Sequence, residues 1–195
     1  MEFREVVRRR RMVRRYGAEP VDPAALDRIL DAARRGPSAG FTQGQSFVVV
    51  TDPGLRRSIA DLSREAAYVA RGFDPWLSQA PVIVVVCTSE QAYRDRYSEP
   101  DKLGPSGELS WDVPFWHVDA GAALMLLLLA VVDEGYAAGF LVVKDEAGLR
   151  ALLGIPDEVQ PIGLVTIGKP TPDRPSQSLK RGRKPEGEVI HRERW

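Results

Sequence analysis

One cysteine and two histidines occur among the 195 residues. A lone thiol excludes an intramolecular disulfide framework, and Cys87 with His117 and His191 is too sparse a donor set for a zinc centre. Cys87 lies in PVIVVVCTS, residues 81–89, where it reads as a small buried strand residue rather than a reactive thiol. The order and spacing of residues offer no Ser-His-Asp grouping, no Cys-His pair and no HExxH motif. Net charge is also missing, because 27 Lys+Arg balance 27 Asp+Glu, and so no global field favours nucleic acid. The arginine-rich beginning has no apolar stretch behind it, unlike a secretory signal. The longest apolar run, AGAALMLLLLAVV at residues 120–132, is shorter than the ~20 residues of a bilayer span. These absences predict a soluble cytoplasmic protein.

What is present is enough apolar sequence for one real core: 44% of the residues are hydrophobic and 28% charged. In VDPAALDRILDAARRGPSAG, Asp22 is the N-cap and Pro23 takes the first helical position. Leu26, Ile29, Leu30 and Ala33 follow at helical spacing until Gly36-Pro37 ends the helix. SFVVVTDP predicts a buried strand, Asp52-Pro53 open a helix expected to reach about Ala70, and PVIVVVCT predicts a second strand. Residues 89–116 have no clear period and carry Tyr93, Tyr97, Trp111, Phe115 and Trp116. A connection of that length is functional or partly helical. A helix over 117–134, a strand at GFLVV, a short helix ending in LLGIP and a strand at PIGLVTIG follow. The Pro- and charge-rich end is too irregular to bury itself. This alternation predicts an α/β or α+β sandwich.

The helix at 117–134 is apolar on every side from Ala120 to Val132 and needs cover all round. A monomer core or a subunit interface can supply it, and the homodimer is the favoured reading. Asp112, His117 and Asp119 read as residues of the helix start, where the macrodipole favours Asp, rather than as a catalytic group.

Six arginines lie in VVRRRRMVRRYG, residues 6–17. On a helix turning about 100° per residue, Phe3, Val6 and Val7 form an inward stripe that Arg10 and Arg14 continue. Arg8, Arg9, Arg11 and Arg15 fall on the flanks or outside. Buried bare charges are costly, and a bound anion would relieve that cost. The other reading ends the helix by Arg10 and leaves all six arginines in water. A nucleic-acid arm would instead place its basic residues outward and need a second reading element.

RRRMVRRY followed by EPVDPAALDRILDAARRGPSAGFTQGQSFVVV resembles the opening of the FMN-dependent nitroreductase family. Its usual pattern is Arg-Arg-Ser-x-Arg-x-Phe/Tyr, a helix, then Pro-Ser-x-x-Asn-x-Gln-Pro-Trp before the first strand. The likeness continues through the long apolar helix, LLGIPDEVQPIGLVTIGKP and RGRKPEGEVIH. It implies an α+β fold, a three-layer α/β/α sandwich with a mixed central sheet, as an intertwined homodimer. Residues 1–170 would form the FMN-binding domain and 171–195 a C-terminal extension embracing the partner.

The resemblance also implies the site. Arg10 matches the arginine that grips the FMN phosphate and ribityl chain, and Arg14 the one at the pyrimidine edge near N1 and O2. Met12 replaces a serine, so one phosphate contact is missing, and Arg11 or the tail would compensate. Arg181 and Arg183 match terminal phosphate-binding residues. Pro37, Ser38, Ala39 and Gln43 match the loop packed on the partner's flavin. Phe41 replaces an asparagine and Gly44-Gln45 replace Pro-Trp, which reshapes the pocket. In GYAAGFLV, Ala138 or Gly139 is expected to offer an N–H toward N5. Phe41, Trp111 and Phe115 are candidates to stack on a flat substrate, with plain packing as the other reading of the two later aromatics. The implied activity is ping-pong transfer of hydride from NAD(P)H through FMN N5 to a small aromatic acceptor such as a nitroaromatic or quinone. Family relatives that dehalogenate iodotyrosine, cleave flavin or bind a deazaflavin coenzyme, and a non-enzymatic FMN carrier, remain alternatives. Neither nucleic acid nor a membrane is an expected partner.

Overall fold

The computed structural model describes residues 1–103, 111–174 and 176–195. Its helices are α1 (Phe3–Arg9), α2 (Pro23–Ala33), α3 (Pro53–Leu62), α4 (Glu65–Val69), α5 (Glu90–Tyr97), α6 (Phe115–Asp133) and α7 (Glu146–Leu153). Its strands are β1 (Gln45–Val50), β2 (Val82–Thr88), β3 (Ala137–Leu141) and β4 (Gln160–Gly168). Local sequence sets several of these starts. Asp22, Asp52, Ser89 and Asp145 each accept a hydrogen bond from the first turn of the helix they precede, satisfying donors the helix itself cannot. Pro23 and Pro53 stand where a missing N–H costs nothing.

The strands order as β1-β2-β4-β3. All seven residues of β2 are buried, because the strand is covered on both faces. Its side chains divide by the strand period of two. Ile83, Val85 and Cys87 join Ile59 of α3 and Leu149 of α7 in one core. Val82, Val84 and Val86 join Ile29 of α2 with Leu127 and Val131 of α6 in the other. Helices therefore lie on both sides of the sheet, giving the expected three-layer α/β/α sandwich. Burial pushes the Cys87 thiol up to about 11, as suits a packing residue.

Four sequence expectations change. The first helix does not carry Arg10 and Arg14. It ends at Arg9, Arg10 is already extended, and residue 12 makes a bridge to Ala138. Edge pairing overrides the helical pattern, and of the supposed inward stripe only Val6 is buried, Phe3 and Val7 being exposed. The helix from Pro53 does not run to Ala70. It stops at Leu62, and Arg64 takes a left-handed conformation (φ 58°) before α4 begins. The strands pair antiparallel throughout, so among the described residues mixed character is confined to the parallel Met12–Ala138 bridge. The long apolar helix begins at Phe115, which lengthens it to 19 residues with a mean hydropathy of 2.0, enough by length and composition to cross a membrane. Here it packs on α2 and the sheet. Residues 89–116 contain α5, and residues 104–110 of that excursion lie outside the described residues.

Candidate functional site

Beyond α1 the chain runs along the edge of β3. The Val13 N–H donates to the Ala138 carbonyl at 2.9 Å, and Val13 and Tyr16 enter the core. The six arginines then separate by electrostatic partner. Arg8 and Arg9 pair with Glu5, Arg11 with Asp173 and Arg15 with Asp74. Arg10 and Arg14 are half-buried, and among the described residues neither forms an ion pair. Met12, half-buried like them, lies between the two in sequence.

The beginning of the C-terminal arm is laced to this segment. Gly17 donates to the Lys169 carbonyl at 2.9 Å and Thr171 to the Arg15 carbonyl at 3.2 Å. The Asp173 carboxylate accepts from the Arg11 guanidinium at 2.8 Å and from the Arg14 N–H at 2.9 Å. Burial alone would raise its pKa, but those two donors outweigh it and hold the carboxyl below its usual range. Arg14, Tyr68, Phe73, Asp74, Asp173 and Gln177 are among the residues lining a cleft of about 360 Å³. Tyr68 and Phe73 stack there with ring centroids 4.3 Å apart.

A second group forms where residues 37–43 meet α6. Gly40, Phe41 and Gln43 all have positive φ, at 63°, 56° and 55°. Such strain in Phe and Gln persists only where surroundings impose it. Here Gln43 donates to Ser38 Oγ at 2.8 Å, the Arg96 guanidinium donates to the Gly40 carbonyl at 2.9 Å, and Ala39 donates to Asp119 Oδ2 at 2.8 Å. Asp119 also accepts from the Tyr93 hydroxyl at 2.6 Å. Asp119 is therefore not a residue of the helix start: it sits within α6, 6% exposed, and anchors the loop. Burial, reinforced by Asp119, raises the Tyr93 pKa. Phe41 projects with 76% of its surface exposed, and Phe115 is also exposed. Trp111 is engaged within the protein, edge-on to both Tyr97 and Trp116.

The profile of the nitroreductase family matches residues 7–169. The chain belongs to the nitroreductase family. An NADH dehydrogenase of Thermus thermophilus is 28% identical over 185 residues, covering 83% of each protein. Iodotyrosine deiodinase 1 of Rattus norvegicus is 26% identical over 199 residues, with 92% of this chain and 66% of the deiodinase covered. A solved nitroreductase family protein from Clostridium novyi NT superposes with a TM-score of 0.71 at 24% identity, over 88% of this chain and 86% of that one, a likeness of fold.

Within this nitroreductase-family chain the sequence-derived residues fall into three places. Arg10, Arg11, Met12 and Arg14 lie on the segment bordering Ala138, and Gly139 follows beneath it. The Gly139 N–H donates to Thr166 Oγ1 at 3.2 Å. Pro37, Ser38, Ala39, Phe41 and Gln43 form the strained loop held by Arg96 and Asp119, and Gly40 within it faces Tyr97, against which Trp111 packs. Arg181 and Arg183 lie on the exposed arm. Sequence reasoning did not find Asp173, the buried carboxylate of Glu65 that holds the Trp76 N–H or Trp76 itself, and it read Asp119 only as a helix-start residue. Their partners are distant in the chain, so no local spacing marks them.

Proposed function

We propose that this protein is an FMN-dependent oxidoreductase that passes hydride from NAD(P)H to a small aromatic acceptor, such as a nitroaromatic or quinone. It would act in the cytoplasm as a homodimer. Family membership and the relative named NADH dehydrogenase support an oxidoreductase. One observation carries the finer reading: of six clustered arginines, the two without a carboxylate partner among the described residues are the half-buried pair Arg10 and Arg14. Unpartnered, partly desolvated cations fit an anionic ligand.

The residues present fit FMN. Arg10 would hold the phosphate and ribityl side, with Arg181 and Arg183 adding charge to the phosphate, and Arg14 would hold the pyrimidine edge. Met12 gives a thioether contact in place of a hydroxyl. When bound, the flavin supplies the hydride chemistry, so the chain needs no nucleophile or metal of its own. Arg14 provides a fixed positive charge at the edge where negative charge develops. The Gly139 N–H donates to Thr166 and Ala138 is bridged to Met12, so the donor toward N5 would be another amide of residues 135–142. Phe41 and Phe115, both exposed, would stack on a flat acceptor.

The dimer reading is supported by apolar surface left open on one chain: Val118 and Met125 on α6, Phe3 and Val7 on α1, and Leu179, Val189, Ile190 and Trp195 on the arm. A second copy would cover these, with residues 171–195 reaching across.

The purified protein should be yellow, carry about one FMN per chain and bleach when NADH or NADPH is added. Arg14→Ala should weaken FMN binding by about 10- to 100-fold, the scale of a charge-assisted hydrogen bond, and make the bound flavin harder to reduce. Colourless protein that refuses added FMN would overturn the assignment. A second reading, reductive dehalogenation of a phenol, is favoured by the match to the rat deiodinase. Reoxidation of the bleached enzyme by iodotyrosine but not by nitroaromatics or quinones would select it.

A further inference from the structure

We infer that Glu65 and Trp76 are positioning residues for Arg14: a buried carboxylate locks a turn whose indole holds the arginine in place. The inference rests on the flavin reading above and extends it to residues that have no direct part in that reading.

The break between α3 and α4 supplies the first part. Arg64 at φ 58° redirects the chain so that Glu65 is buried, 7% exposed. Among the described residues no cation pairs with this carboxylate. It is instead held by donors. Oε1 accepts the N–H groups of Trp76 and Leu77 at 2.7 and 2.6 Å, and Oε2 accepts the Ser78 hydroxyl at 2.5 Å. Successive N–H groups converging on one anion form a nest. A buried charge without a counter-ion is tolerable only while all those donors stay in place. Residues 76–78 therefore have one shape.

That shape presents the indole. Trp76 is 6% exposed and lies against both β3 and the arginine segment. A Cβ at Gly139 would stand 2.5 Å from Trp76 Cζ3 and 2.6 Å from the Val13 carbonyl oxygen. The guanidinium carbon of Arg14 lies 5.7 Å from the indole centroid, within cation–π range. The backbone of Arg14 is separately tied to Asp173. The choice of partner is informative. Asp173 feels the Arg14 charge and lines the same cleft with Asp74, but among the described residues no carboxylate is within ion-pair distance of the guanidinium, which the π face orients instead. Preorganised charge is what electrostatic stabilisation of a reduced cofactor requires.

The test measures FMN affinity and midpoint potential on the full-length chain, with melting curves for each flavin-free variant. Trp76→Leu should weaken FMN binding about 3- to 30-fold and move the potential in the same direction as Arg14→Ala. In an Arg14→Ala background it should cost less than about twofold, within the scatter of ordinary additivity, because the two residues act as one unit. Trp76→Phe should restore most of the affinity. Glu65→Gln should weaken binding without adding to Trp76→Leu. If Trp76→Leu does not fold, the Trp76→Phe and Arg14→Lys pair decides, since lysine keeps the charge but not the flat stacking. Independent, multiplying effects, an unshifted potential, or Trp76→Leu binding FMN like wild type would overturn the inference while leaving the flavin reading intact. Wild-type protein that takes up no FMN would refute both.

Discussion

Asp173 shows how one residue ties the two ends of the chain together. Its side chain is 8% exposed and pairs with Arg11, and its carboxyl ionises below the ordinary value of 3.8. Folding therefore favours the ionised form. The resulting stabilisation is complete above the ordinary carboxylate pKa and disappears as pH falls through the depressed one. Asp173→Asn should accordingly lower stability near neutral pH and narrow the difference between neutral and strongly acidic solution, measured by urea unfolding at about pH 7 and pH 3. An unchanged acid dependence would remove Asp173 from this role. The contrast with Arg10 and Arg14 is also a matter of single side chains. Neighbouring arginines one position away have carboxylate partners, and among the described residues these two do not.

The element that decides the site is the extended segment after α1, and its fit to β3 depends on a glycine. Gly139 has no room for a methyl group because Trp76, the Val13 carbonyl and Thr166 Oγ1 all lie within 3.0 Å of where it would be. Two of those neighbours belong to the arginine segment and the turn that orients Arg14. Gly139→Ala should cost about 1–3 kcal/mol of stability, as overpacking does, and weaken FMN binding with it. A variant that melts like wild type would show that the segment yields without strain. Asp119 performs a comparable service for the 37–43 loop, taking the Ala39 N–H and the Tyr93 hydroxyl on one oxygen.

At the scale of the whole molecule, α6 is half inside. Ala120, Ala123, Leu127 and Val131 are fully buried in their own chain, while Val118 and Met125 are 51% and 46% exposed. A helix apolar on every side and covered on one is unfinished in a single copy. Met125→Glu should shift the protein toward monomer in sedimentation and make flavin retention depend on protein concentration. Monomeric wild-type protein that holds FMN tightly would remove the dimer from the functional account.

The capped starts of α2 and α3, the buried strand around Cys87 and the alternating order of elements were legible in the sequence because each depends on neighbours within a few positions. The resemblance to the nitroreductase family was legible for the same reason, being carried by ordered local motifs. Arg10 and Arg14 were singled out as a pair on the assumption of a helix that ends before them. Residues four apart share a face in a helix and a side in a strand alike, so spacing could not tell the two backbones apart. Only tertiary structure decided that, by pairing the segment with β3. It also decided that Arg11 and Arg15 form ion pairs, since Asp173 and Asp74 approach from far along the chain. The roles of Glu65, Trp76 and Asp119 depend on such distant contacts, and no local pattern encodes them.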